Sequence, residues 1–454
     1  MNKLEDIYKK LPVSLQNIAC SLEGWRINRQ RFGGNFTELL QFAEIRSNWT
    51  QEQVLTYRNN RLIQFLKYCQ RNIPFYSNYF KTNGLDYRDF KSIDEISVLP
   101  IMRKQVINEN IDDFTADNFP KKDLIKMKTS GSTGSPLHFY STKTAIRELW
   151  SIFWRYRRWH GIDLNTWGAY LIGRPVVPIE NKKPPFWRVN VPGKQLLMSG
   201  LHLNRENSVY FLEELKKRRI TWIYGYPSLI ALLATYKIEE DYDLGFEMKW
   251  ITANSENLLP IQENIIKRAF GVKPVQLYGM AEGVASISEC PSGSLHVDED
   301  ASAVEFIKLD DNDGYKIVGT NFSNFGTAFL RYEINDVFQW SDNQCSCGRP
   351  GRIVTSIDGR HEDHIRLKDG SVITRISPIF TNASNIIEGQ IIQKKIDELL
   401  VKIVKGKNYT DKDESRFLKD IHERTRGLVN IKIEYSEKIP RTANGKLRLV
   451  ISQL

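Results

Sequence analysis

A chain of 454 residues with 41% hydrophobic content can bury a large core, and its length suits more than one domain. No run of about 18 apolar residues occurs, and the N-terminus MNKLEDIYKKLPVSLQ carries charges where a signal peptide has an apolar core, so the expectation is a cytoplasmic protein without an integral membrane segment. The net charge of +10 arises from interspersed Lys, Arg, Asp and Glu and not from a cationic tail, which speaks for a solvated surface and against a nucleic-acid partner.

Residues 1 to about 120 read as mostly helical, with Leu62, Phe65, Leu66 and Cys69 on one face of YRNNRLIQFLKYCQRNIPFYSNYF. The stretch WRYRRWH (Trp154 to His160) interleaves cations and aromatics as a single-strand binder does. However, Ile146, Leu149, Trp150, Phe153 and Trp154 follow helical spacing and Gly161 can end the helix. Further on, ITWIYG (Ile220 to Gly225), MKWITAN (Met248 to Asn254) and VQLYG (Val275 to Gly279) are short strand-like runs separated by the helical segments SLIALLATYKI and PIQENIIKRAFG. This alternation predicts an α/β architecture with buried, largely parallel strands. Past residue 300 the strands come closer together, with turn signals at DDNDG and SNFG, and predict an antiparallel subdomain. A polar passage near SIDGRHED then sets off a tail of about 95 residues.

Four stretches carry chemistry. In TSGSTGSP, Gly131 and Gly134 can take positive φ so that successive amides point into one concavity, while Ser130, Ser132 and Thr133 add hydroxyl donors; the pattern reads as a phosphate nest or as a structural turn. No Lys follows the second glycine, so it is not a P-loop. In QLYGMAEG (Gln276 to Gly283), Glu282 stands just past a strand end, where a carboxylate can hold Mg²⁺ between phosphates or simply face solvent. In LRYEINDVF (Leu330 to Phe338), Asp336 can accept both hydroxyls of a ribose or serve as a turn residue. In IPRTANGKLR (Ile439 to Arg448), Lys446 on a turn is a mobile cation suited to developing negative charge, or a solvated lysine.

The five cysteines are too few and scattered for a disulfide framework, which makes a reducing compartment the default. Cys290 and His296 in CPSGSLH, with Cys345 and Cys347 in CSC, form a Cys₃His set if the two strand regions lie side by side. Such a site would be structural zinc with no open position; the alternative is free thiols.

Together, TSGSTGSP, QLYGMAEG, LRYEINDVF and IPRTANGKLR, in this order, resemble the acyl-adenylate-forming superfamily of acyl-CoA synthetases, adenylation domains and luciferases. Within it the chain is similar to the phenylacetate–CoA ligase and CapK-like capsule-biosynthesis branch, on RNIPFYSNYF, LPIMRKQVI, YGYPS and CSCGRP. The resemblance implies a large N-terminal adenylation domain with mixed sheets (1–358) and a small α+β lid (359–454), and an ATP- and Mg²⁺-dependent ligase that forms an acyl-adenylate and transfers the acyl group to an acceptor. It implies that Thr129, Ser130, Gly131, Ser132, Thr133, Gly134, Tyr278, Gly279, Asp336 and Arg360 bind ATP, that Lys446 and Glu282 are catalytic, and that Glu362 and Asp363 form the hinge. Tyr224, Tyr226, Pro227 and Asn254 are expected to line the acid pocket.

The sequence departs from the family pattern at Ala281, where a hydroxyl residue is usual, at Asn335 in place of Gly, and at Ser135 in place of a frequent Lys. The segment IRLKDGSVITRIS, with Lys368, Asp369 and Arg375, differs from the Gly-containing segment that lines a pantetheine tunnel. CoA is therefore expected to be a poor acceptor beside an amine or hydroxyl, for instance on a surface-polysaccharide sugar. The competing reading is a nucleotide-binding protein of the same fold without turnover, against which the intact Lys446 and Asp336 stand.

Overall fold

A computed structural model of the chain describes residues 3–129, 136–173, 175–309, 314–360, 364–373, 377–380, 385–442 and 445–454. They fall into two units: Met1–Arg26, Leu164–Gln276 and Asp358–Leu454 in the first, and Ile27–Asp163 and Leu277–Ile357 in the second.

In the second unit, the helix Gln51–Asn72 starts at Thr50, whose hydroxyl accepts the Gln53 amide while the Gln53 side chain accepts the Thr50 amide. This reciprocal cap satisfies two donors that a helix start leaves open. Leu62, Phe65, Leu66 and Cys69 are fully buried, as the helical spacing predicts. They pack in one apolar core with Tyr76, Phe80, Phe114, Phe322, Phe329 and Phe338. Antiparallel strands supply the other wall, in the order Ala303–Lys308, Tyr315–Thr320, Tyr332–Ser341, Ile353–Arg360, Leu295–Val297, Ser286–Glu289 and the end of Val275–Gly279. The DDNDG turn lies largely outside the described residues.

The helix Lys143–Trp159 accounts for WRYRRWH. Gly161 follows it at φ 78°, and Trp154, Arg155 and Arg157 are buried. Arg155 bonds Asp298 at 2.7 Å and Asp300 at 2.6 Å, and Arg46 reaches Asp300 at 2.5 Å. Next to them Glu299 takes Arg58 and, at 2.6 Å, Arg352. Burial alone would raise the Asp300 carboxyl; the Arg155 and Arg46 guanidiniums more than offset this and hold it well below the usual carboxylate range. Arg155 is thus committed to an interior network, not offered to a nucleic acid.

The first unit holds the parallel strands. Their order is Trp250–Asn254, Trp222–Gly225, Gly168–Ile172 and Gln195–Ser199, with Trp187–Asn190 antiparallel at the edge. With Val275–Gly279, described above, all three predicted strands appear where the apolar runs stood, and helices Pro227–Glu239 and Pro260–Phe270 alternate with them. Gly271 ends the latter helix at φ 73°, a left-handed position that glycine takes without steric cost. Leu229, Ile230, Leu233, Phe211 and Ile251 fill the core between helices and sheet.

The C-terminal part of this unit has its own sheet, Asn430–Tyr435, Glu398–Lys405, Ile386–Lys395 and Val450–Ser452, with the helix Asp411–Arg424 packing Phe417 and Ile421 on it. The central hairpin is antiparallel and both outer strands are parallel to their neighbours, an α+β arrangement. Among the described residues no helix is long and apolar enough to cross a membrane.

Candidate functional site

Thr129 closes a hairpin. The strands Ile125–Lys128 and His138–Ser141 pair with Lys128 opposite His138, and beyond them the Thr129 amide donates to the Leu137 carbonyl at 3.0 Å while Thr129 Oγ1 accepts the Leu137 amide. Ser130, Gly131, Ser132, Thr133 and Gly134 lie outside the described residues, so the structure gives the frame of this loop alone. A second strand, His138–Ser141, thus stands between this loop and the helix Lys143–Trp159. That strand is braced by the SNFG turn: Asn324 Nδ2 and the Thr327 amide both donate to the Tyr140 carbonyl, and the Tyr140 amide donates to Thr327 Oγ1.

In the same unit Tyr278, on the strand Val275–Gly279, donates its hydroxyl to Asp336 Oδ2 at 2.7 Å. Asp336 sits on the long strand Tyr332–Ser341, and Asn335 beside it is exposed. Gly279 has no room for a side chain, since a Cβ would lie 2.9 Å from the Phe153 ring. Glu282 follows on the turn after this strand and is buried, with Tyr332 Oη 3.4 Å from its Oε1 and Asn321 holding its carbonyl. Burial pushes the Glu282 carboxyl above its ordinary value, Lys104 opposes this and the nearby Asp336 charge adds to it. A buried carboxylate next to a second carboxylate is an environment that a cation would relieve.

The acid-pocket candidates lie in the first unit at the C-terminal ends of its parallel strands, where open α/β sheets hold ligands. Tyr224 pairs in register with Tyr170, their rings 4.7 Å apart, and its hydroxyl accepts Asn254 Nδ2. Tyr226 and Pro227 open the next helix, with Pro227 at its first position.

The turn carrying Lys446 is tied to these strand ends. Glu256 accepts the Ser228 amide at 3.2 Å and the Leu447 amide at 2.7 Å, so one carboxylate binds the start of a helix and the residue after Lys446. Arg441 donates to Ser228 Oγ at 2.7 Å and pairs with Glu388, which is buried. Burial raises the Glu388 carboxyl and the Arg441 charge works against that rise. Within the turn, the Lys446 amide donates to Thr442 Oγ1 and the Thr442 amide to the Lys446 carbonyl. Gly445, at φ 74°, lies against Gly173 so closely that no Cβ would fit.

Of the remaining candidates, Arg360 ends the strand Ile353–Arg360 with its side chain outside the described part, and Glu362, Asp363 and Arg375 lie outside the described residues. Lys368 pairs with Asp397 at 3.1 Å and Asp369 with Arg426 at 2.9 Å, both on the surface.

Cys290, His296, Cys345 and Cys347 come together, their ligand atoms all within 4.8 Å of one another. Cys290 and Cys345 sulfurs are 3.7 Å apart and Cys347 Sγ lies 3.4 Å from His296 Nε2. Zinc–sulfur bonds of about 2.3 Å set thiolates roughly 3.8 Å apart along a tetrahedral edge, so the spacing fits. His296 Nδ1 faces the Pro350 carbonyl at 3.0 Å, which leaves Nε2 for a metal.

Reading the sequence missed Glu256, Ser228, Glu388 and Arg441. Arg441 stands inside the IPRTANGKLR stretch, but only the fold shows that its partners come from positions 228 and 388.

Residues 365–453 match the family model of the CapK C-terminal domain. The whole chain is 28% identical to protein CapK of Staphylococcus aureus, over 99% of this chain and 100% of that protein. It is also 21% identical to the phenylacetate-coenzyme A ligase of Thermus thermophilus, over 78% of this chain and 82% of the ligase. Among solved structures, a 2-hydroxyisobutyryl-CoA ligase in its postadenylation state shares the fold at a TM-score of 0.70 with 18% identity, covering 90% of this chain and 91% of that chain. The fold is therefore that of the adenylate-forming ligases, as the motif order implied.

The Arg441–Glu388 pair generates a test. Arg441→Ala leaves the buried Glu388 carboxylate without its cation and should lower the unfolding free energy of the protein by about 3 kcal/mol in a urea titration. Adding Glu388→Gln to it should restore most of that loss. Equal stability of Arg441→Ala and the unaltered chain would show that the pair does not hold the turn.

Proposed function

We propose that the chain is an AMP-forming ligase that activates a carboxylic acid with ATP to an acyl-adenylate and passes the acyl group to an acceptor, with residues 1–358 as the adenylation domain and 359–454 as the lid. The observation that carries this reading is the seating of the Lys446 turn, which Glu256 ties to the first turn of the helix that follows Tyr226. A lysine so fixed can meet negative charge without the cost of ordering a free loop.

A carboxylate is a poor electrophile until one of its oxygens becomes part of a good leaving group. Attack of that oxygen on the α-phosphorus of ATP supplies the leaving group, AMP, and releases pyrophosphate. In this reading Lys446 stabilises the charge that grows on the α-phosphate and the acid. Asp336, oriented by Tyr278, accepts the ribose hydroxyls. Gly279 gives the adenine-side backbone its close approach, Arg360 adds a cation, and the loop from Thr129 to Gly134 presents amides and hydroxyls to the β- and γ-phosphates. Mg²⁺ held at Glu282 would neutralise phosphate charge, and the buried position of that carboxylate supports the assignment. Tyr224, Tyr226, Pro227 and Asn254 line the acid side, where aromatic faces and one amide suit a small acid with a polar substituent.

For the second half-reaction we favour an amine or hydroxyl acceptor over CoA. Lys368 and Asp369 are charged and serve surface ion pairs with Asp397 and Arg426, unlike the small apolar residues suited to lining a pantetheine passage. We place the reaction in surface-polysaccharide assembly on the resemblance of the sequence motifs to the capsule-biosynthesis branch. The four-residue Cys–His cluster we assign to structural zinc, because four protein ligands leave no open position for chemistry.

Two outcomes test these assignments. With an acid that is a substrate, Lys446→Ala should slow Mg²⁺-dependent ATP–pyrophosphate exchange roughly 10²- to 10³-fold with ATP affinity nearly intact. Asp336→Ala should instead weaken ATP binding, since ribose contacts exist in ground and transition states alike. An unchanged exchange rate in the first variant, or unchanged ATP affinity in the second, would remove the corresponding role. Metal analysis of protein purified without chelators should find one zinc per chain, and Cys345→Ser should lower the melting temperature more than it lowers exchange. Protein free of zinc would leave the four residues as thiols and an imidazole.

A further inference from the structure

The helix Val13–Phe32 is packed with its polar side inward. Gln16 is 2% exposed and accepts Arg188 Nε at 2.5 Å. Asn17 Oδ1 accepts the Val189 amide at 2.9 Å, and Ser21 Oγ donates to the Val189 carbonyl and accepts the Val191 amide, each at 3.2 Å. One turn on, Gly24 lies so close to Asn190 that no Cβ would fit. These partners belong to, or directly follow, Trp187–Asn190, the edge strand of the parallel sheet. An edge strand presents N–H and C=O groups with no neighbouring strand to pair them. The amide and hydroxyl side chains of the helix answer those groups, which is why this face is polar.

The consequence is on the other side. Leu15, Ile18, Leu22 and Trp25 recur at three- and four-residue steps, which places them on one stripe of the helix. They are 44%, 54%, 66% and 54% exposed. A surface helix normally turns such a stripe toward its own core. Here the core side is taken by the edge strand, and the stripe faces out.

We propose that this stripe seats the chain on an anionic lipid surface, with the helix lying in the plane of the interface. Charge supports that occupant. Between residues 6 and 31 the sequence carries Lys9, Lys10, Arg26, Arg29 and Arg31 against Asp6 and Glu23, within a chain of net charge +10. Arg26 and Arg29 follow Leu22 and Trp25 by four residues and continue the same side of the helix, while Arg26 also pairs with Glu23 and Arg31 lies over the Trp150 ring. An exposed apolar stripe that ends in arginines binds an anionic surface by burying its apolar face and by attraction to the headgroups. Size speaks against a second copy of the chain as occupant. From Leu15 to Trp25 the stripe is about 15 Å long and one side chain wide, well short of the roughly 800 Å² per partner that stable protein interfaces cover. A surface of lipid has no such minimum, because partitioning into it does not require a matching shape.

The test is co-sedimentation of the full-length protein with vesicles, one set of equal parts phosphatidylglycerol and phosphatidylcholine and one of phosphatidylcholine alone, at low and high salt. Binding is expected on the anionic vesicles, weaker at high salt and weaker still on phosphatidylcholine. The triple variant Leu15→Ser, Ile18→Ser, Leu22→Ser should lose vesicle affinity by about 100-fold. It should melt at the temperature of the unaltered chain, since the replaced side chains face out. Failure of the full-length protein to sediment with anionic vesicles would overturn the proposal, as would equal binding by the triple variant. So would a dimer in sedimentation velocity that the triple variant converts to monomer, because the stripe would then belong to a second copy.

Discussion

One carboxylate with two amides to satisfy sets the geometry of the Lys446 turn. Glu256 follows the strand Trp250–Asn254 and accepts both the Ser228 and the Leu447 amides, so the first turn of a core helix and the residue after Lys446 share one acceptor. Hydrogen bonds to an ionised acceptor are among the stronger ones in proteins, and a bridging acceptor correlates the positions of both donors. Arg441 repeats the connection from the other direction, spanning Ser228 and the buried Glu388 of the C-terminal sheet. Everything proposed for Lys446 presupposes these few contacts. A cation on a loose turn would pay its ordering entropy at each turnover, whereas this one is ordered by the fold.

The other unit uses buried charge in the same way but on a larger scale. Asp298, Glu299 and Asp300 leave the strand Leu295–Val297 in succession, and Arg46, Arg58 and Arg155 from three helices converge on them with Arg352, which directly precedes the strand Ile353–Arg360. Removing such charges from water is costly, and replacing the network with apolar residues is commonly no less stable. Its evident effect is to fix which helix meets which strand. The strand that precedes the network carries His296, so the same constraint holds one side of the Cys–His cluster.

Periodicity made much of this fold legible. Leu62, Phe65, Leu66 and Cys69 announced a helix face, and Trp222–Gly225, Trp250–Asn254 and Val275–Gly279 announced strands, because buried elements must repeat with the period of their backbone. The Cys–His set was legible as a conditional, since its residue types are few and the condition was a strand pairing. The second arm of the loop hairpin, His138–Ser141, was not: four residues carry no usable period, and what fixes them is the turn at 324–327. Nor was the interior fate of Arg155 legible, because its partners lie more than 140 positions away and a cation in a helix reads as solvated until they are known. For the helix Val13–Phe32 the helical character was legible but the side that faces the protein was not. Its polar residues face the protein, so the usual inference from apolar pattern to buried face has the wrong sign there.

Adenylation leaves one carboxylate oxygen of the acid on AMP. An acid labelled with ¹⁸O in its carboxylate, turned over with ATP, Mg²⁺ and a competent acceptor, distinguishes this from every route that activates the acid otherwise. Adenylation predicts AMP carrying one ¹⁸O and pyrophosphate carrying none, since the oxygen that attacks the α-phosphorus leaves with AMP when the acceptor takes the acyl group. Label in inorganic phosphate with ADP as the nucleotide product would contradict the account, because it would mean attack at the γ-phosphorus and an acyl phosphate in place of an adenylate.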